Sequence, residues 1–232
     1  MVLPVTSGER PTRRRTTARG EATRMRIITS AADLMYIRGV NAVTLDDVRA
    51  ATGTSKSQLY KHFPAGKPEL VRAVVAFRAD QVLTREEQRL ERLKSMSGLR
   101  RWRDALVQAA SLRGGAYGCA LGGMVVELSD QDEEARASLS EHFSTWRGLL
   151  ANGFRRMQDN GSLSVEADPD ALATGLMAAL QGGYLLAQAD HDVEPMAAAL
   201  DMALAHIESL TTRPGKAVKP RKQPRRRTAA RR

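Results

Sequence analysis

From Glu21 to Arg38, Ile28, Ala31, Ala32 and Met35 recur at helical spacing with Leu34 beside them, so this stretch predicts an amphipathic helix. Gly39 supplies its stop. Thr44 precedes a short apolar-periodic run, Leu45–Thr52, and Asp47 three residues on completes an acidic variant of the capping box. Gly53 ends that run. Ser55, with Gln58 three residues on, repeats the box and opens a third helix to about Phe63. Pro64-Ala65-Gly66 breaks the chain, and Lys67-Pro68 starts a long helix into the Leu90 region, heavily charged from Arg85 to Lys94. Further helices are expected over 98–112, 120–129 and 133–159. Asn160-Gly161 closes the last of these, and Asp168-Pro169 caps another over 169–189. Pro195 opens a final helix that ends near Leu210. No segment reads as a strand, and no internal repeat is visible. The fold class is all-α: a small three-helix N-terminal domain followed by a larger helical one.

The ends of the chain carry no apolar period. Pro4, Gly8, Pro11 and Gly20 interleave with arginines in residues 1–20, which read as a disordered basic arm. Pro214, Pro220 and Pro224 alternate with basic clusters in 213–232, a disordered basic tail. Between them, 21–75 and 76–212 form the two expected domains. The net charge of +10 divides along these lines: about +5 over 1–26, +2 over 27–75, −7 over 76–212 and +10 over 213–232. Basic ends on an acidic body describe a protein that meets a polyanion at particular places. No apolar run approaches the ~20 residues of a membrane helix, and the N-terminus lacks the apolar core of a signal peptide. The single cysteine, Cys119, rules out an internal disulfide framework and fits a reducing, cytoplasmic setting.

The candidate chemistry lies in 44–67. Ile28, Ala31, Met35, Leu45, Val48, Ala51, Leu59 and Phe63 suffice for one small core, which leaves Lys56, Ser57, Gln58, Tyr60, Lys61 and His62 on the free face of the third helix. That face has hydrogen-bonding and cationic groups and no carboxylate, whereas a merely solvated helix face usually mixes Glu with Lys. It suits the major groove, where guanine offers acceptors and adenine a donor–acceptor pair.

The run TLDDVRAATGTSKSQLYKHFPAGKPELV, above all Leu-Tyr-x-His-Phe at 59–63 and Lys67, resembles the helix-turn-helix domain of the tetracycline-repressor (TetR) family of bacterial regulators. The resemblance covers roughly 23–75; Arg49, Thr52 and Thr54 depart from the usual pattern. It implies that Ser57, Gln58, Lys61 and His62 face base edges or nearby phosphates, with Ser55 and Lys56 at the head of the same helix. Thr44, Tyr60 and Lys67 would grip phosphates. Arg13, Arg14 and Arg15 of the arm are counted with them as DNA-binding residues. The partner so implied is a near-palindromic operator bound by a homodimer, in a repressor released by a small hydrophobic or aromatic effector. Gly118-Cys119-Ala120-Leu121-Gly122 followed by Glu127 is similar to a segment of a TetR subgroup that answers to drug-like aromatics.

An effector pocket would draw on Trp102, Leu106, Cys119, Met124, Phe143, Trp146, Met177, Gln181 and Tyr184, adaptable methionines and aromatics that equally suit plain core. Ala171, Gly175, Ala178 and Gly182, with Ala198, Met202 and Ala205, give the last two helices small-residue faces. The resemblance makes these the dimer seam; the residues alone allow internal packing equally. The chain shows no nucleophile elbow, zinc-protease motif, P-loop or dinucleotide fingerprint. Nor do His62, His142, His191 and His206 have metal spacing with Cys119. No enzyme activity, cofactor, metal or membrane partner is expected. The competing reading is an adaptor that binds nucleic acid or anionic membrane surfaces non-specifically through its basic ends.

Overall fold

A computed structural model describes residues 17–212 and is all-α. Its helices are α1 (Ala18–Arg38), α2 (Leu45–Thr52), α3 (Lys56–His62), α4 (Lys67–Leu90), α5 (Met96–Ser111), α6 (Ala120–Leu128), α7 (Glu133–Asp159), α8 (Pro169–Asp190) and α9 (Glu194–Ser209). Among the described residues the only β-type pairing is an isolated bridge between Leu163 and Thr211. The first helix starts earlier than expected. Thr17 Oγ1 accepts the Gly20 N–H at 3.2 Å, so Ala18, Arg19 and Gly20, assigned to the arm, are helical. In the same way Ser95 caps α5 and starts it at Met96 instead of 98.

The described chain packs as two compact units, one reaching Arg85 and including Tyr117–Ser144, the other made of Glu86–Ala116 and the residues from Thr145 on. In the first, α1 buries Ile27, Ile28, Ala31, Ala32 and Met35, and the loop after it buries Val40 and Val43. Val48, Leu59 and Phe63 close this small core, and Leu70, Val71, Val74 and Val75 of α4 extend it. Leu121, Met124 and Leu128 of α6 are also buried in this unit. Two expected core residues are not: Leu45 is half-buried and Ala51 is exposed. The reason is that α2 turns only Val48 fully into the core. In the turn that follows, Thr52 Oγ1 sits 2.7 Å from both Val48 O and Thr54 Oγ1, and Thr54 is buried.

In the second unit α8 and α9 form a close antiparallel hairpin. A Cβ on Gly183 would stand 2.8 Å from Met196 Cα, so the backbones approach there as only glycine allows. Its core takes Leu99, Trp102 and Leu106 from α5, Trp146, Leu150, Phe154 and Met157 from α7, and Leu176, Leu180, Leu200 and Leu204 from the hairpin. Arg156 of α7 donates from Nε to Leu93 O at 2.9 Å and from Nη2 to Leu90 O at 2.7 Å, which ties α7 to the chain at and just after the end of α4.

Candidate nucleic-acid interface

Helix α3 has only seven residues and is held at both ends. At its start the Gln58 N–H donates to Ser55 Oγ at 3.2 Å, and the Ser55 N–H donates back to Gln58 Oε1 at 3.0 Å. At its end Leu59 and Phe63 are fully buried. Anchoring one stripe turns the opposite one outward: Lys56, Ser57, Gln58, Tyr60 and Lys61 are all exposed, without a carboxylate among them. His62 is half-buried. Burial, then the charges of Lys61 and Arg24, hold its imidazole below the usual histidine range, which favours the neutral ring. Arg24 of α1 lies over the Phe63 ring at 5.1 Å and brings a further cation to this end of α3, one that sequence periodicity did not single out.

Helix α2 is capped by the predicted box. The Asp47 N–H donates to Thr44 Oγ1 at 3.1 Å, and Thr44 donates to Asp47 Oδ2 through its backbone N–H at 2.8 Å and its hydroxyl at 2.6 Å. These bonds, with Arg38 at 3.1 Å, hold the Asp47 carboxyl down at about 2. A phosphate at Thr44 would therefore compete with Asp47 for the hydroxyl proton. Lys67, the other phosphate candidate, donates from Nζ to Asn41 O at 3.2 Å, and an ammonium has two more N–H donors to offer. Thr44 and Ser55 are exposed and Lys67 is half-buried. Arg13, Arg14 and Arg15 lie outside the described residues, as do the rest of the arm to Thr16 and the tail.

The residues nominated for an effector are drawn from both units. Cys119, Met124 and Phe143 belong to the first unit, while Trp102, Leu106, Trp146, Met177, Gln181 and Tyr184 belong to the second. The Trp102 indole N–H is engaged at 2.8 Å by Glu86, a carboxylate with no exposed surface that also accepts from Arg89 at 2.8 Å. Glu86 lies in the charged run of α4 and gave no sign of burial in the sequence. The residues nominated for a seam share one property: Ala171, Gly175, Ala178, Gly182, Ala198, Met202 and Ala205 are all exposed. Ala171, Gly175 and Met202 help line a groove of about 520 Å³ along α8 and α9, and Leu185 and Leu186 extend the exposed apolar surface of α8. Among the described residues no cluster of His, Cys, Asp or Glu could hold a metal ion, and no helix is long and apolar enough to cross a membrane.

Residues 27–74 match the family model described as bacterial regulatory proteins, tetR family, and residues 90–203 match the model of the tetracyclin repressor-like C-terminal domain. An HTH-type transcriptional regulator encoded in the lacX 3′ region of Lactococcus lactis subsp. lactis is 27% identical over 196 residues, spanning 81% of this chain and 94% of that protein. The HTH-type transcriptional repressor DhaR of Mycobacterium sp. (strain GP1) is 25% identical over 173 residues, spanning 75% of this chain and 86% of DhaR. In three dimensions the fold matches a TetR transcriptional regulator from Chloroflexus aurantiacus with a TM-score of 0.75 at 24% identity, covering 84% of this chain and 98% of that one.

Proposed function

The chain belongs to the TetR family of DNA-binding transcriptional regulators, and on that premise we propose that it is a dimeric repressor which reads a near-palindromic operator through α3 and leaves it when an effector binds. The observation that carries the reading is the α3 surface itself: five consecutive-turn donors and cations, Lys56, Ser57, Gln58, Tyr60 and Lys61, exposed on a helix whose other face is locked by Leu59 and Phe63. Ser57, Gln58, Lys61 and His62 are assigned to base edges and adjoining phosphates, Thr44, Tyr60 and Lys67 to phosphates, and the arm arginines to the neighbouring backbone or minor groove. One seven-residue helix reads too few bases for useful selectivity, so two copies are required, with half-site centres roughly 34–36 Å apart or a multiple of that. The exposed small-residue faces of α8 and α9 form the seam. The helices beyond α4 carry the effector site, which takes a small hydrophobic or aromatic molecule, and the protein works in the cytoplasm.

Selection of duplexes from a random pool by the full-length chain tests this directly. The expected result is a near-palindrome whose affinity falls in Gln58→Ala and Lys61→Ala, each by about 1–3 kcal/mol with relaxed preference at one base position. Enrichment of no sequence, or retention of any duplex in proportion to its length and charge, would favour the adaptor reading instead.

A further inference from the structure

We propose that Glu127 of α6 is a positioning residue for DNA reading: its carboxylate holds the loop between α1 and α2, and so sets where α2 and the turn into α3 begin. The assignment rests on the reading of α3 as the base-reading helix. Glu127 Oε1 accepts the Val40 N–H at 2.9 Å, and Oε2 accepts the Asn41 N–H at 2.8 Å. Two consecutive amides aimed at one carboxylate form a small anion cradle, and a charged acceptor makes both bonds stronger than neutral ones. The loop is shaped to permit this. Gly39 has φ +86°, and a Cβ there would lie 3.1 Å from Glu127 Oε1, so glycine both turns the chain and clears room for the carboxylate. From the other side Lys67 Nζ holds Asn41 O at 3.2 Å. Asn41 is thus pinned by its N–H to α6 and by its C=O to the start of α4. Val40 and Val43 are buried on either side of it, and Thr44, the next residue, caps α2.

The bond pattern makes a strict chemical demand. Both acceptors must be present, because both donors are backbone N–H groups. Glutamine supplies one acceptor, and its NH₂ would meet the second N–H head-on. Aspartate keeps both oxygens but falls one methylene short. Because Glu127 rides on α6, a shift of α6 either carries the loop with it or breaks both bonds, and in each case the α2–α3 pair starts from a different place. This distinguishes Glu127 from the residues of α3. It would touch no nucleotide, yet it would govern how well the α3 side chains find the base edges.

The test uses the full-length chain, its selected duplex and a scrambled duplex of equal length. Glu127→Gln should lower affinity for the selected duplex by at least about tenfold, the scale of a lost charged hydrogen bond, while affinity for the scrambled duplex stays within about twofold. Glu127→Asp should fall between, and Val126→Ala, on the exposed face of the same helix, should behave as wild type. Amide exchange supplies a readout independent of DNA: Val40 and Asn41 should exchange slowly in the wild type and about tenfold or more faster in Glu127→Gln. Rapid exchange of both amides in the wild type overturns the assignment. So does equal loss of selected and scrambled affinity in a folded variant, or wild-type affinity in both substitutions. If Glu127→Gln does not fold, Glu127→Asp and the wild-type exchange decide. A wild-type chain that enriches no sequence would count against the base-reading role of α3, whereas the exchange result would still bear on Glu127.

Discussion

Ser55 and Gln58 are tied by two reciprocal hydrogen bonds, and the bond from the Ser55 N–H occupies Oε1 of Gln58 at 3.0 Å. With one lone pair of its carbonyl oxygen engaged in the helix cap, Gln58 has its NH₂ group as its freer contact for DNA. A free glutamine pairs with adenine by donating to N7 and accepting from N6. A capped one has its oxygen held toward the helix start and its NH₂ free, which favours donation to guanine O6 or N7, or thymine O4. The base opposite Gln58 should therefore present an acceptor in the selected operator. Gln58→Glu separates the two roles, since glutamate at this position of a capping box keeps the cap. Its thermal midpoint should stay close to wild type while operator affinity falls by about 1–3 kcal/mol or more. Ser55→Ala should instead cost about 1 kcal/mol of stability. A Gln58→Glu protein that keeps full operator affinity would show that the amide donors do not read DNA.

His62 gives the reading head a pH dependence of known sign. Burial first, then Lys61 and Arg24, place its folded value below 6.5, so between the two values the unfolded chain holds more protons than the folded one. The stabilising contribution of the neutral ring is fully present above about 6.5 and is lost as pH falls through that value toward the folded one. The urea midpoint should decline from pH 7.5 to 5.5, and His62→Gln should flatten the decline. Binding to DNA should run the other way. A phosphate near His62 favours the imidazolium, so operator affinity should rise as pH falls from 7.5 to 6, and rise less in His62→Gln. Parallel curves for wild type and variant in both experiments would remove His62 from the interface.

The features legible in the sequence are those made by neighbours a few residues apart. Both capping boxes, the glycine stops after α1 and α2 and the exposed face of α3 follow from spacings of three and four. Burial is harder to read in α2, where only Val48 is buried, and in the turn after it, where the buried residue is the polar Thr54 with its hydroxyl partner Thr52. Val40 and Val43 were missed because they lie in a loop, outside any periodic stripe. The surroundings of two carboxylates, Glu86 and Glu127, are not legible in the sequence, for different reasons. Glu86 sits in a run whose average character is charged and solvated, yet it faces inward with Leu90 and Leu93. Glu127 meets its partners 86 and 87 residues away, a distance that no local pattern encodes.

The Glu86–Trp102 bond gives a prediction about the second unit. Glu86 has no exposed surface, and the Trp102 indole N–H is one of its donors at 2.8 Å. Trp102→Phe keeps an aromatic ring but removes that donor. A buried charged group that loses a hydrogen bond costs about 1.5–3 kcal/mol, and the smaller ring adds a packing loss. Urea unfolding should show a destabilisation of at least about 2 kcal/mol. If Trp102 also meets an effector, it does so through its ring and not its N–H, so Trp102→Phe should retain effector binding once the lower stability is allowed for. A variant as stable as wild type would show that Glu86 is satisfied without the indole.

Gly182 and Gly183 are adjacent on α8 but face different neighbours, which separates the seam from the fold. A Cβ on Gly182 would meet nothing within 4 Å, whereas one on Gly183 would stand 2.8 Å from Met196 Cα in α9. Gly183→Ala must push the hairpin apart and should destabilise the protein by about 1–3 kcal/mol, as overpacking does. Gly182 is exposed and a Cβ there has open space, so the effect of Gly182→Trp on folding should stay within about 1 kcal/mol, the range of a surface glycine in a helix. Across a seam the same indole would stand between two copies of α8. Sedimentation equilibrium should then find the Gly182→Trp protein monomeric at concentrations where the wild type is dimeric, and its operator affinity should collapse because one reading head is left to act alone. Gly183→Ala should remain dimeric while it stays folded. A Gly182→Trp protein that sediments as a dimer and binds its operator normally would move the seam off this face of α8.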